Sequence, residues 1–359
     1  MKKLLFAAYS LDIGGIETAL VTLVNQLQKM GYEVTIVLEK KQGIFLEKVN
    51  PNIPIVEYRP SESKNRIKRK IANLLKRINF IFRYQNKFDF SACFATYSNA
   101  ASFVSRVASK NSCLWGHADY LALFNQEEEA VKKFFIEKKY NQFKHIVFVS
   151  REGKESFLKI FPEMKEKTIV CNNMIDGEQI IKMANEKIEM QKDEEKVTFI
   201  NVGRHEEKQK RLTRIIYAAK KMKKENDKFK ILLIGDGPEN EFYKELVEKE
   251  GVEDVIFFLG KKQNPYPYFK IADCVLLTSE YEGYPVVFLE SFILNKPIIT
   301  TKVSDYEEVE QGYGLVTEKN EQEIYEAMKT FLEKGYQIEK KFDVKQYNEE
   351  IIKKLEQIF

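Results

Sequence analysis

The sequence predicts an α/β protein built from two doubly wound parallel sheets, and three observations carry that expectation. Apolar runs of strand length alternate with helix-length segments along the chain, the pattern of parallel sheets covered by helices on both faces. The chain has 359 residues, 44% of them hydrophobic, which suits two cores rather than one. Glycines follow several of the apolar runs, at the strand ends where such sheets gather ligands.

In the first half the predicted strands are residues 4–8, 33–38, 53–57, 89–94, 112–115, 145–149 and 168–171. In the second half they are 197–202, 230–234, 255–259, 274–277, 297–300 and 314–316. Right-handed crossovers between them leave doubly wound topologies as the main candidates. The opening run MKKLLFAAYS reads as the first strand, because its apolar stretch is too short for a signal peptide. The segment DGEQIIKMANEKIEMQKDEEK, residues 176–196, reads as a helix ending in a charged linker. The expected domains are therefore 1–178 and 179–342. A closing helix over 343–359 has Val344, Tyr347, Ile351, Ile352, Leu355 and Ile358 at helical spacing.

Composition narrows the function. The net charge of +4 is modest, so no polyanionic partner is called for. No run approaches the roughly 18 apolar residues of a membrane span, and a cytoplasmic protein is expected. Cys93, Cys113, Cys171 and Cys274 form no C-x-x-C pair and read as buried thiols in a reducing compartment. The three histidines, His117, His145 and His205, make no metal-binding spacing, and there is no D-x-D pair. No metal and no cofactor are expected.

The richest segment is TSEYEGYPVVFLESFILNKPIITT, residues 278–301. It reads as loop, helix and strand, with Glu282 and Glu290 eight residues apart across the loop-to-helix junction. Gly283 lets a ligand approach the backbone. Pro285 suits the first turn of the helix. The N–H groups of residues 284–287 would face an anion. Glu290 would accept two hydrogen bonds from a vicinal diol such as a ribose. The plainer alternative makes Glu282 a helix cap and Glu290 a solvated side chain.

Further motifs resolve that choice. Gly14-Gly15-Ile16-Glu17 follows the first predicted strand, Asn201-Val202-Gly203-Arg204 ends the first strand of the second half, and Lys210 comes soon after. Leu233-Ile234-Gly235-Asp236-Gly237-Pro238 and Phe258-Leu259-Gly260 close two more strands. Together with the E-x7-E segment, these resemble the retaining glycosyltransferases of family 4, which have the GT-B fold: two Rossmann-like domains facing a central cleft. The resemblance spans nearly the whole chain and is densest over residues 197–301.

The resemblance implies transfer of a hexose or N-acetylhexosamine from a nucleotide-diphosphate sugar, with a UDP-sugar as donor substrate. The acceptor hydroxyl would belong to a glycan, glycolipid or polyol-phosphate in bacterial surface polymer synthesis. Arg204 and Lys210 would stabilise the departing diphosphate, Arg204 bidentately and Lys210 as a point charge. Gly14 and Gly15 would offer amides to the same diphosphate on domain closure. Glu282 would lie near the transferred sugar, and Glu290 would hold the ribose. Gly203, Gly283, Tyr284, Pro285 and Val286 would line the donor site, with the nucleobase near Gly260. His117, in LWGHADY, would contact the donor sugar near its reacting carbon. An epimerase or hydrolase of the same fold, and a non-catalytic sugar-nucleotide-binding subunit, are the alternatives.

One feature lies outside the family pattern. Residues 64–87 hold nine Lys and Arg and no Asp or Glu, and Ile67, Ile71, Leu74, Leu75, Ile78, Ile81 and Phe82 recur at helical spacing. The apolar face is expected to pack on the amino-terminal domain. The charge density suggests an anionic membrane surface or a phosphate-bearing acceptor, and peripheral attachment to the inner face of the plasma membrane. Nucleic acid is not expected, since no nucleic-acid motif accompanies the charge.

Overall fold

The structure, a computed structural model, describes residues 1–12 and 14–359. It divides into two compact units, Met1–Ile175 with Lys345–Phe359, and Asp176–Val344.

The amino-terminal unit contains a seven-stranded parallel sheet of β1 (Lys3–Ala8), β2 (Glu33–Leu38), β3 (Ile55–Glu57), β4 (Phe90–Cys93), β5 (Ser112–Gly116), β6 (His145–Phe148) and β7 (Thr168–Val170). Their spatial order is β3-β2-β1-β4-β5-β6-β7. The chain builds outward one way from β1 and the other way from β4, so the switch point lies between these two strands. Strands β1, β4 and β5 are buried along almost their whole length, as expected of strands covered on both faces. The edge strand β3 is shorter than its apolar run, because Pro54 has no N–H to give and the Ile53 N–H turns back to the Asn50 carbonyl.

Helix α1 (Gly15–Lys29) starts on Gly14 as its N-cap and buries Ala19, Leu20, Val21, Leu23, Val24 and Leu27. The last helix, Val344–Glu356, buries Ile351, Ile352 and Leu355. Asn348 is tied to the Ile175 backbone in both directions, and the Phe359 ring lies 4.8 Å from Phe90.

Helix α2 (Arg66–Tyr84) corrects the sequence reading. It is a helix, capped by the Asn65 side chain, but its apolar stripe does not pack on the domain. Ile67, Ile71, Leu74, Leu75, Ile78 and Phe82 are all exposed, and Phe80 is its buried residue. The contacts of α2 come from the opposite face. Asn73 accepts from the Ser61 N–H at 2.6 Å, and Phe80 packs on Tyr58 and on Phe103 of α3 (Asn99–Ala108). Aromatic residues supplied better docking points than the aliphatic stripe.

The carboxy-terminal unit contains six parallel strands, β8 (Val197–Val202), β9 (Phe229–Ile234), β10 (Ile256–Gly260), β11 (Cys274–Leu277), β12 (Ile298–Thr301) and β13 (Gly314–Thr317). The order β10-β9-β8-β11-β12-β13 puts its switch point between β8 and β11. All four cysteines are free and buried. No helix among the described residues is long and apolar enough to cross a membrane.

Candidate donor site at the end of the second sheet

The loops leaving β8 and β11 flank the switch point of the carboxy-terminal sheet, and their backbones are stapled together. The Glu280 N–H donates to the Gln209 carbonyl at 2.7 Å, and the Thr278 hydroxyl donates to the Lys210 carbonyl at 3.2 Å. Behind them, Gly235 has φ +151, and a Cβ there would lie 1.8 Å from the Gly203 carbonyl oxygen. Only glycine fits so close an approach. This contact fixes the loop that carries Arg204.

Glu282 is 8% exposed and well supplied with donors. Lys210 Nζ lies 2.6 Å from its Oε1. The Ser279 hydroxyl donates to the same oxygen at 2.6 Å, and Gln209 Nε2 donates to Oε2 at 3.2 Å. The Glu282 carbonyl accepts from Ser304 at 2.8 Å. These donors meet both carboxylate oxygens and offset the cost of burying them. Lys210 reaches the carboxylate by crossing over Gly203, where a Cβ would meet Lys210 Cε at 3.4 Å.

Arg204 stands differently. Its side chain is 63% exposed and pairs with Glu206, so its guanidinium is free to turn toward an anionic ligand.

Pro285 is the N-cap of the helix Val286–Ile293 and not its first residue, a shift of one position from the sequence reading. Its ψ of 99° is extended, and the helix begins at Val286. The N–H groups of Val286 and Val287 precede the first helical carbonyls and have no intrahelical partner. The Tyr284 hydroxyl donates to Glu308 at 2.7 Å, anchoring the loop that includes Gly283.

Glu290, in the middle of this helix, accepts from the Tyr266 hydroxyl at 2.9 Å. Burial pushes its pKa up to about 6, and the tyrosine hydrogen bond opposes the shift. Burial beside Glu290 also drives the Tyr266 phenol well above its usual range. Tyr266 starts a helix, Tyr266–Ile271, that follows the loop after Gly260. Gly260 has φ +68 and ends β10 at a register shift. Tyr266 thus links the Gly260 loop to Glu290. The sequence reading missed Tyr266, Gln209, Ser279 and Ser304. A glutamine, a tyrosine and two serines are ordinary in loops, and only their contacts mark them.

The amino-terminal unit carries a second set. The Glu17 carboxylate folds back to within 2.2 Å of where a Gly14 Cβ would sit, while Gly15 faces open space. Burial raises the Glu17 pKa, and the Tyr97 hydroxyl donates to it at 3.4 Å. His117 follows β5 with its ring 4.5 Å from Phe94. Both ring nitrogens are shielded from solvent without a well-formed hydrogen bond. Burial pushes its pKa down to about 3, with the Phe94 backbone opposing, so the imidazole is neutral at physiological pH. Asp119 caps the next short helix through the Leu121 and Ala122 N–H groups.

The chain is similar to known glycosyltransferases. The model of glycosyl transferases group 1 matches residues 182–351, and that of Glycosyltransferase Family 4 matches residues 13–179. An uncharacterized glycosyltransferase of Methanocaldococcus jannaschii is 28% identical over 159 residues, 44% of this chain and 39% of that protein. The N-acetylgalactosamine-N,N'-diacetylbacillosaminyl-diphospho-undecaprenol 4-alpha-N-acetylgalactosaminyltransferase of Campylobacter jejuni is 25% identical over 348 residues, covering 93% of this chain and 91% of that protein. Among solved structures, Anabaena HepE in complex with UDP superposes with a TM-score of 0.76 at 17% identity, over 99% of this chain and 100% of HepE. These likenesses establish the GT-B fold.

Proposed function

Because the models of glycosyl transferases group 1 and of Glycosyltransferase Family 4 match residues 182–351 and 13–179, we propose that the chain is a retaining hexosyltransferase of family 4 that uses a UDP-sugar and a hydroxyl acceptor. The observation that carries this reading is the Glu282–Lys210 pair at the switch point of the second sheet, with Glu290 on the helix just beyond it.

The donor's diphosphate is the natural ligand of Arg204, Lys210 and the amides of Val286 and Val287. As the glycosidic bond to phosphate breaks, charge grows on the leaving oxygens, and fixed cations stabilise it most at that moment. Lys210 is already positioned by Glu282, so little reorganisation is required of it. Arg204 exchanges Glu206 for phosphate. Glu290 takes the ribose diol as an acceptor of two hydrogen bonds, with Tyr266 fixing its orientation.

Retention fits a front-face displacement in which the leaving phosphate takes the acceptor's proton, so no protein nucleophile is assigned. His117, neutral and with neither ring nitrogen in a well-formed hydrogen bond, is suited to donate to or accept from a sugar hydroxyl. The relative from Campylobacter, an N-acetylgalactosaminyltransferase by name, supports an N-acetylhexosamine as the group transferred and a surface glycan or glycolipid as the acceptor.

A panel of nucleotide-sugars tests the reading. The correct donor should raise the thermal midpoint by several degrees and be hydrolysed slowly without acceptor, releasing sugar of the donor's own anomeric configuration. A panel that neither stabilises the protein nor loses its sugar would remove the assignment. Recovery of a new nucleotide-sugar would instead mark an epimerase.

A further inference from the structure

Helix α2 presents an apolar stripe outward and surrounds it with positive charge. Ile67, Ile71, Leu74, Leu75, Ile78 and Phe82 follow the spacing of one helical face. Their exposures range from 54% for Ile71 to 87% for Phe82. The helix is docked from its other side, through Asn73, Phe80 and the Arg77 guanidinium over Phe103. Its 19 residues include seven Lys and Arg and no Asp or Glu. The whole chain is only +4, so the rest of it is net acidic and the positive charge is concentrated on this element.

An apolar stripe turned to water is unfavourable, and folding has not removed it here. Burial inside the unit is excluded, because the docked face is the opposite one. The charge identifies the cover. A second copy of α2 would bring seven like charges against seven. A bilayer with anionic headgroups offers a hydrocarbon boundary for the stripe and negative charge for its flanks. Lys68 and Arg83 on one side and Lys70 on the other lie on the flanks of the stripe by helical position, where basic side chains reach headgroups while the stripe sinks.

We propose that α2 lies in the plane of an anionic bilayer, with Ile71, Leu74, Leu75, Ile78 and Phe82 inserted into the headgroup–acyl boundary. The helix lies on the membrane and does not span it. This surface is independent of the donor chemistry, so either assignment can fail without the other.

The test uses the full chain with vesicles of equal parts phosphatidylglycerol and phosphatidylcholine, and with phosphatidylcholine alone. The protein should float with the anionic vesicles and lose binding by about tenfold or more with the zwitterionic ones, and added salt should weaken it. An Ile71→Glu/Leu74→Glu/Ile78→Glu variant should lose flotation on both. All three side chains are more than half exposed, so its thermal midpoint and donor binding should stay at wild-type levels. Phe82→Trp adds an insertion probe beside the buried Trp115, and its emission should shift to the blue on anionic vesicles only.

Three outcomes overturn the proposal. One is wild-type protein that does not float. Another is a triple-glutamate variant that floats as wild type does. The third is a wild-type dimer, or a nucleic-acid complex, that the same variant abolishes while vesicle binding is absent.

Discussion

Glu282 and Glu290 in one unit, and His117 and the α2 stripe in the other, are provided with partners differently. In the carboxy-terminal unit, Glu282 is surrounded by donors from Lys210, Ser279 and Gln209, and Glu290 is bonded to Tyr266. In the amino-terminal unit, His117 lies among aromatic rings with neither ring nitrogen well bonded, and α2 leaves six apolar side chains in water. Glu282 and Glu290 find their partners within their own unit. In the other unit neither the His117 ring nitrogens nor the α2 stripe has a comparable set of partners. A site that binds one constant donor gains from preorganisation. Surfaces that meet a variable or external partner gain from keeping their groups uncommitted.

The strongest way to break this comparison is Lys210→Ala. In the proposed mechanism it removes a leaving-group cation, and it also strands a buried carboxylate. Turnover should fall by about 10³, and stability by about 2 kcal/mol, less than for a fully buried pair because Ser279 and Gln209 remain. Steady-state rates and denaturant melts check both. The double variant Lys210→Ala/Glu282→Gln should recover much of the stability and none of the rate.

Arg204→Ala sharpens the contrast within one loop. This side chain is mostly exposed, so stability should change by less than about 0.5 kcal/mol, while turnover falls by about 10². Equal stability losses in the two variants would contradict their different settings.

As the proposed ribose acceptor, Glu290 should make donor binding pH-dependent. Its folded pKa of about 6 lies above the ordinary 4.5, so it is protonated below pH 6 and accepts hydrogen bonds less well. Donor affinity, followed by calorimetry, should weaken toward about tenfold per pH unit below 6. Glu290→Gln should flatten that dependence. The linkage also has a sign for the free protein. A raised carboxyl pKa costs stability above the folded value and nothing below the unfolded one. The variant should therefore gain on the order of 1 kcal/mol at pH 8 and nothing near pH 4.

His117 gives the smallest effect, with the opposite sign. Its pKa is lowered from 6.5 to about 3. Its contribution is intact above pH 6.5 and lost as pH falls, because the unfolded chain takes up the proton first. His117→Asn should reduce the stability lost between pH 7 and about pH 5.5 by about 1 kcal/mol. Urea melts at the two pH values measure it.

Much of this was legible in the sequence, and the parts that were not share a cause. The thirteen strands follow from apolar runs whose length and β-branched content leave a buried parallel sheet as their main outcome. The positions of Gly203, Arg204, Lys210, Glu282 and Glu290 follow from motifs at strand ends. The sequence also identified α2 as amphipathic and basic, because a period of 3.6 is local. It misassigned the face that packs, because that depends on Tyr58 and Phe103 outside the helix.

Local periodicity and turn chemistry therefore determined the elements, the order of strands and helices, and the residues at their ends. Tertiary structure alone decided the partners: Lys210 to Glu282 across 72 residues, Tyr266 to Glu290 across 24, and water for the α2 stripe. The reason is physical. A backbone hydrogen bond or a helical stripe is fixed by near neighbours, whereas the charge state and the packing face of a side chain depend on what distant segments bring to it.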